Sequence, residues 1–182
     1  MINELRFLDI TILKIINKPG INNYLDYFSS VLNLIVPCAI VIFIGTLFFI
    51  SRKKKDKFIG LLLCVSLVVS YYISYLIKHI IQRPRPDGFA WLTVRIVENG
   101  FSFPSTHTTV AFTFAVVLNY IFPKYKVFYY IIALLIGLSR LYDGVHYPLD
   151  VIAGILLGVF IGMTLCIVAR RVYNKYPRLR DV

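Results

Sequence analysis

A chain of 182 residues fits one domain, and its hydrophobic fraction of 58% stands well above the roughly 45–50% usual for soluble proteins, which excludes an ordinary soluble domain and predicts a membrane protein. The formal charge of +11 does not indicate nucleic acid, because the basic residues cluster between apolar segments and no Lys/Arg stretch is long enough to form an arm; anionic lipid is the expected partner. Cys38, Cys64 and Cys166 all fall inside apolar runs, where an odd number reads as buried thiols and not as a disulfide framework.

The start, Met1-Ile2-Asn3-Glu4-Leu5-Arg6, lacks a basic region followed by a clean apolar core, so no cleavable signal is expected. Residues 4–17 carry Leu5, Leu8, Ile12, Ile15 and Ile16 at helical spacing, with Glu4, Arg6, Asp9 and Lys14 elsewhere, and Lys18-Pro19-Gly20 ends the run. A span needs about 20 residues, so this shorter stretch predicts an interfacial amphipathic helix; a short first span is the alternative. From about Asp26 to Ile50 the chain is apolar apart from Ser and Asn, and a basic loop from Ser51 to Lys57 follows. The next span, about Phe58 to Ile80, repeats Ser66, Ser70, Ser74 and Lys78 along one stripe. Small residues at that spacing mark a helix–helix contact, so Lys78 is expected to point into the bundle.

Gln82 to Pro104 contains Arg83-Pro84-Arg85-Pro86, and two X-Pro steps exclude continued helix; this is the longest loop. Further spans are expected from about Ser105 to Phe122, from Val127 to Leu141 and from Pro148 to Ala169, with a basic tail of Arg170, Arg171, Lys175, Arg178 and Arg180. Gly154, Gly158 and Gly162 form a small-residue face on the last helix. The fold class is thus an all-α polytopic bundle of five or six spans with an amphipathic N-terminal helix, a single domain over 1–182. Of the basic residues, 12 fall in the Ser51–Lys57 loop, the Pro123 turn and the tail, and 8 at the opposite ends. The positive-inside rule then places the first set in the cytoplasm and gathers Lys78, Arg85, His107, Arg140 and His146 at the outer face of the cytoplasmic membrane.

Three clusters meet at that boundary: Lys78, six residues, then Arg85-Pro86; Pro104-Ser105-Thr106-His107; and Ser139-Arg140, five residues, His146, three residues, Asp150. This pattern resembles the three-part signature of the type 2 phosphatidic acid phosphatase family, whose membrane members are lipid phosphatases and whose soluble relatives include vanadium haloperoxidases. The resemblance covers about residues 58 to 165. Thr106 stands where many members carry glycine.

Chemistry accounts for the residue types. A phosphoryl group carries about −1.5 to −2 charges at neutral pH, and its transfer spreads charge over the equatorial oxygens; Lys78, Arg85 and Arg140 supply three positive charges to meet it. Each of them alone reads as well as a residue snorkelling to head groups; the fixed spacing argues against that for all three. Ser105 after Pro104 is a natural N-cap, and that helix end is a ready anion site for a phosphate beside Ser105 and Thr106. His107 lies in the first turn; the resemblance implies a general acid. Asp150, in the opening turn after Pro148, can orient one nitrogen of His146 and leave the other free, or simply complement the helix dipole. The resemblance implies that His146 attacks phosphorus to form a phosphohistidine. Arg83 is a candidate for a second phosphate, in which case Arg83→Ala harms diphosphate turnover more than monophosphate turnover. Asp143 and Gly144 read as turn formers, and His79 as an interfacial residue. No acid, histidine or cysteine grouping has metal-site spacing, so no metal or cofactor is expected.

The function expected is hydrolysis of a membrane-lipid phosphate or diphosphate, undecaprenyl diphosphate first, with phosphatidylglycerophosphate, phosphatidic acid or lipid A as alternatives. A lipid phosphotransferase and a non-catalytic lipid-binding protein are the readings of another class. Nothing in the sequence sets the oligomeric state.

Overall fold

The structure, a computed structural model, describes residues 2–17 and 23–176. Met1, the Lys18-Pro19-Gly20 stop and the tail residues Arg178 and Arg180 lie outside them. Six helices follow in order: α1 (Ile2–Ile16), α2 (Asn23–Phe49), α3 (Lys54–Ile81), α4 (Thr106–Ile121), α5 (Lys126–Tyr142) and α6 (Pro148–Lys175). Among the described residues there is no strand. Three segments there, Lys54–Ile81, Pro123–Tyr142 and Pro148–Lys175, are long and apolar enough to cross a bilayer. Outward-facing Val68 and Leu76 on α3 and Leu156, Phe160 and Met163 on α6 are what lipid-facing helix surfaces require, since nothing apolar is gained by hiding them from hydrocarbon.

The shortest of the apolar helices is the central one. α4 packs against α3, α5 and α6, and its residues from Thr108 to Val117 are buried apart from Val110. Sixteen residues reach only about 24 Å at 1.5 Å per residue, but a helix sheathed by its neighbours has no hydrocarbon thickness to match. Small residues allow that sheath to close. Ser66, Ser70 and Ser74 are fully buried, each hydroxyl returned to a carbonyl of its own helix, so close approach carries no unpaired polar atom.

On α6 the expected glycine face meets α4 directly. A Cβ at Gly154 would stand 2.9 Å from the Ser105 carbonyl oxygen, one at Gly158 2.5 Å from that of Thr109, and one at Gly162 2.7 Å from the Val116 Cβ. Thr113 Oγ1 also donates across the seam to the Gly158 oxygen at 3.2 Å. Gly158→Ala is therefore expected to overpack backbone against backbone at a cost of about 1–3 kcal/mol. Differential scanning fluorimetry in detergent should read this as a fall in apparent Tm of several degrees; a variant melting with the wild type would mean the seam has slack.

One expected boundary shifts. α6 continues to Lys175, so Arg170, Arg171 and Lys175 extend a helix and do not begin a tail. On α1, Phe7, Leu8, Ile12 and Ile15 are exposed, as are Glu4, Arg6 and Lys14, while Asp9 and Leu13, and Asn17 just beyond the helix, are buried. Polar side chains at a membrane turn toward the protein, where partners exist. Asn17 Nδ2 donates to the carbonyls of Thr93 and Tyr142, both at 2.9 Å, and its Oδ1 accepts from the Thr93 N–H.

α1 thereby clamps the long loop 82–105 to the end of α5. Leu13, Leu141, Tyr147 and Val151 form a core there with Phe89, Trp91 and Leu92 of the loop. The α5–α6 turn depends on Gly144, whose φ of +74° suits glycine and whose missing Cβ would lie 2.7 Å from the Thr93 oxygen.

Candidate active site

Four helix ends and the loop converge at one end of the bundle. α3 brings Lys78 in its last turn, whose Nζ donates to the carbonyls of Phe101 at 2.8 Å and Ser102 at 3.1 Å. The ammonium thus holds the loop just ahead of α4 and stands in the electrostatic field of Arg85, Glu98, Arg140 and Asp150. α5 brings Arg140, 1% exposed. Its Nη1 donates to Asn33 Oδ1 of α2 at 2.5 Å and lies 3.5 Å from Asp143 Oδ2. Asp143 in turn accepts from Ser29 Oγ at 2.7 Å and Asn33 Nδ2 at 2.8 Å. A charge taken out of water needs such partners, and α2 supplies them.

The loop contributes Arg85, whose Nη1 donates to the Val145 carbonyl at 2.8 Å and whose Nε donates to Gly100 at 3.1 Å. It also contributes Glu98, which no motif in the sequence singles out. Glu98 pairs with Arg85 Nη2 at 2.9 Å and with Arg140 Nη2. His107 Nδ1 lies 3.8 Å from one carboxylate oxygen and His146 Nε2 3.9 Å from the other. Burial pushes the Glu98 carboxyl up, but Arg140 and the surrounding cations outweigh it and hold the group below the usual carboxylate range. One anion is thus held at the point where two guanidinium groups and two imidazoles meet. The place of Glu98 in this five-residue cluster was not recoverable from the sequence, since it sits in an irregular loop with no period.

His146 is 1% exposed. Its Nε2 faces the cluster, 3.5 Å from Arg85 Nη1, and its Nδ1 faces Asp150 Oδ2 at 3.5 Å, an ion-pair distance at the edge of hydrogen bonding. Burial takes the imidazole down to about 4, with Asp150 opposing, so at neutral pH the ring is uncharged. A proton on Nδ1 beside the carboxylate leaves the Nε2 lone pair directed at the cluster. Asp150 Oδ2 also accepts the Tyr147 N–H at 2.9 Å and so caps α6.

Ser105 occupies the N-cap position, but its hydroxyl does not cap. It accepts from Thr108 Oγ1 at 2.9 Å, while its N–H donates to the Asp150 carbonyl at 3.0 Å. The first-turn N–H groups of α4 lack intrahelical partners by geometry, and Thr106, half-buried, stands there beside His107. Arg83 departs furthest from expectation. Its guanidinium is held between Asp9 and Asp150, at 2.7 Å from the latter, and lies 4.0 Å over the Tyr147 ring. Both ends of its fork are engaged by carboxylates, so it is turned away from a second phosphate.

The fold and site define a class: a helical bundle with membrane-spanning segments that carries a buried imidazole–carboxylate pair beside an arginine-rich anion site. The chain belongs to the PAP2 superfamily, whose pattern matches residues 59–175. It is similar to an undecaprenyl-diphosphatase of Sulfolobus acidocaldarius (38% identical; 59% of this chain, 54% of the relative) and to a lipid A 1-phosphatase of Rhizobium etli (35% identical; 66% and 56%). Among solved structures it is similar to a transmembrane PAP2-type phosphatidylglycerolphosphate phosphatase from Bacillus subtilis, with a TM-score of 0.73, 27% identity and coverage of 93% of this chain and 88% of that one. The chain spans about half the length of these curated relatives. It is an integral membrane protein of all-helical fold.

Proposed function

We propose that this protein hydrolyses the phosphate or diphosphate of a membrane lipid through a phosphohistidine on His146. The observation that carries this reading is the Glu98 carboxylate, gripped by Arg85 and Arg140 with His107 and His146 on its flanks; an anion held there supports a binding place for the substrate phosphoryl group. Nε2 of His146 attacks phosphorus as the bond to the leaving oxygen breaks and His107 delivers a proton to that oxygen. Water, giving its proton to His107, then attacks phosphorus; the N–P bond breaks, its electrons return to Nε2, and orthophosphate leaves. Arg85, Arg140 and Lys78 meet the charge on the equatorial oxygens, with Ser105, Thr106 and the α4 N-terminus beside them.

Undecaprenyl diphosphate is the first substrate assignment, supported by the similarity to an undecaprenyl-diphosphatase. The basic-residue count supports a cytoplasmic membrane location with the site outside. The test is phosphate release by purified protein from undecaprenyl diphosphate, phosphatidic acid, phosphatidylglycerophosphate and lipid A, and slower turnover of the first than of any other would move the assignment. Turnover is expected to survive excess EDTA, because each step above uses only side chains of this chain; loss of activity that added divalent metal restores would overturn that mechanism.

A phosphate must displace Glu98 from two guanidinium groups. Glu98→Gln is therefore expected to lower the inhibition constant of orthophosphate by roughly tenfold, about the worth of one charge-assisted hydrogen bond. An unchanged constant would mean that the carboxylate and the phosphate bind at different places.

A further inference from the structure

Asp9 belongs to α1, outside the matched region 59–175, yet it is 2% exposed, on a helix that leaves Phe7, Leu8, Ile12 and Ile15 open. A carboxylate placed there is costly unless something holds it. Two groups do so. Oδ1 accepts the Leu149 N–H of the first turn of α6 at 2.8 Å, and Oδ2 pairs with Arg83. Arg83 passes its other nitrogen to Asp150 Oδ1 at 2.7 Å, and Asp150 turns its remaining oxygen, Oδ2, to His146 Nδ1. The guanidinium plane is fixed over Tyr147, the residue next to His146. Carboxylate, guanidinium, carboxylate and imidazole thus form one chain from the surface helix to the nucleophile.

We propose that Arg83 and Asp9 are positioning residues for the reaction: acting through Asp150, they aim the His146 imidazole and moderate the negative charge that faces its Nδ1, so that α1 is a working part of the site. This rests on the proposed histidine mechanism for its catalytic meaning, but not for its electrostatics. Arg83 claims one oxygen of Asp150, which fixes the rotation of that carboxylate and leaves a single oxygen for the ring. Asp9 shares the guanidinium charge and limits how far Arg83 neutralises Asp150.

The two variants have different electrostatic signs. Arg83→Gln removes a cation beside Asp150, so Asp150 holds a proton on His146 more firmly. Asp9→Asn removes an anion and releases Arg83 to Asp150, so the proton is held no more firmly than before. The other groups around His146, namely Lys78 of α3, Arg85 and Glu98 of the loop, His107 of α4 and Arg140 of α5, are unchanged in both. Mere loosening of α1 would admit water, relieve the burial that keeps the ring neutral, and raise the titration midpoint in both variants alike.

The chain has only three histidines, so labelled-histidine NMR in detergent micelles can follow His146 directly, assigned by its loss in His146→Ala. Arg83→Gln is expected to raise the His146 midpoint by about one pH unit, Arg83→Lys to restore most of it, and Asp9→Asn to leave it at or below the wild-type value. In lipid-phosphate turnover, Arg83→Gln and Asp9→Asn should lower kcat about tenfold or more with KM little changed. A midpoint unmoved by Arg83→Gln, or raised by both variants together, would overturn the proposal. Because the titration does not depend on turnover, failure to find a hydrolysed lipid would bear on the proposed function alone.

Discussion

His146→Ala is expected to reduce phosphate release by roughly 10⁴-fold or more and to leave no acid-labile phosphoenzyme after a quench. Under the proposed mechanism the magnitude follows from removing the nucleophile itself, with Arg85, Arg140 and the α4 N-terminus left to bind the phosphate. KM should therefore change far less than kcat. The fold should survive, because Asp150 keeps its bonds to Arg83 and the Tyr147 N–H. Stability should nonetheless change its response to acid. Burial depresses the folded imidazole to about 4, against about 6.5 in an unfolded chain, so the unfolded state binds more protons between those values. The contribution of the neutral ring is fully present above about pH 6.5 and is lost as pH falls through about 4. Thermal melts from pH 7 to 4 should show the wild type losing stability relative to His146→Ala. A variant with wild-type turnover would end the phosphohistidine mechanism, and melts that stay parallel would mean the ring is not held neutral.

Arg140→Ala is expected to damage both activity and folding. Arg140 is a fully buried cation in contact with Asn33, Asp143 and Glu98. Its loss leaves the buried Asp143 carboxylate without its charge partner at a cost of about 3–5 kcal/mol, which for a chain of this size lowers Tm by on the order of 10 °C. Losing a guanidinium from the transferring phosphoryl group costs about 10³-fold or more in turnover. Arg140→Lys separates the two effects: it returns a charge and so part of the stability, but a point donor cannot span Asn33 and the phosphate together, so turnover stays low. Wild-type melting and turnover in Arg140→Ala would remove Arg140 from the site.

The helices could be read from the sequence because apolar period and run length are local properties, and the three clusters because their spacing is fixed along the chain. The serine stripe of α3 and the glycine face of α6 were legible for the same reason: residues four apart share a helix face whatever it meets. What could not be read was the long-range partner of each buried charge. Asp9 and Arg83 are 74 residues apart, and Arg140 and Asn33 107 apart, so no pattern along the chain links them. Ser29 and Asn33 left a faint trace as polar residues one turn apart in an apolar helix. Glu98 left none.

By itself the sequence determined an all-helical membrane chain, the family signature, and a lysine, two arginines, two histidines and an aspartate at one boundary. Only the tertiary structure decided which groups neutralise which. It turned Arg83 from a candidate phosphate ligand into a bridge between Asp9 and Asp150, turned Asp9 of α1 inward, and set Glu98 among the cations. The physical reason is common to all three. A charge at a membrane boundary is strongly driven to find a partner away from hydrocarbon, but which partner it finds depends on helix ends brought together by packing, and sequence distance carries no record of that.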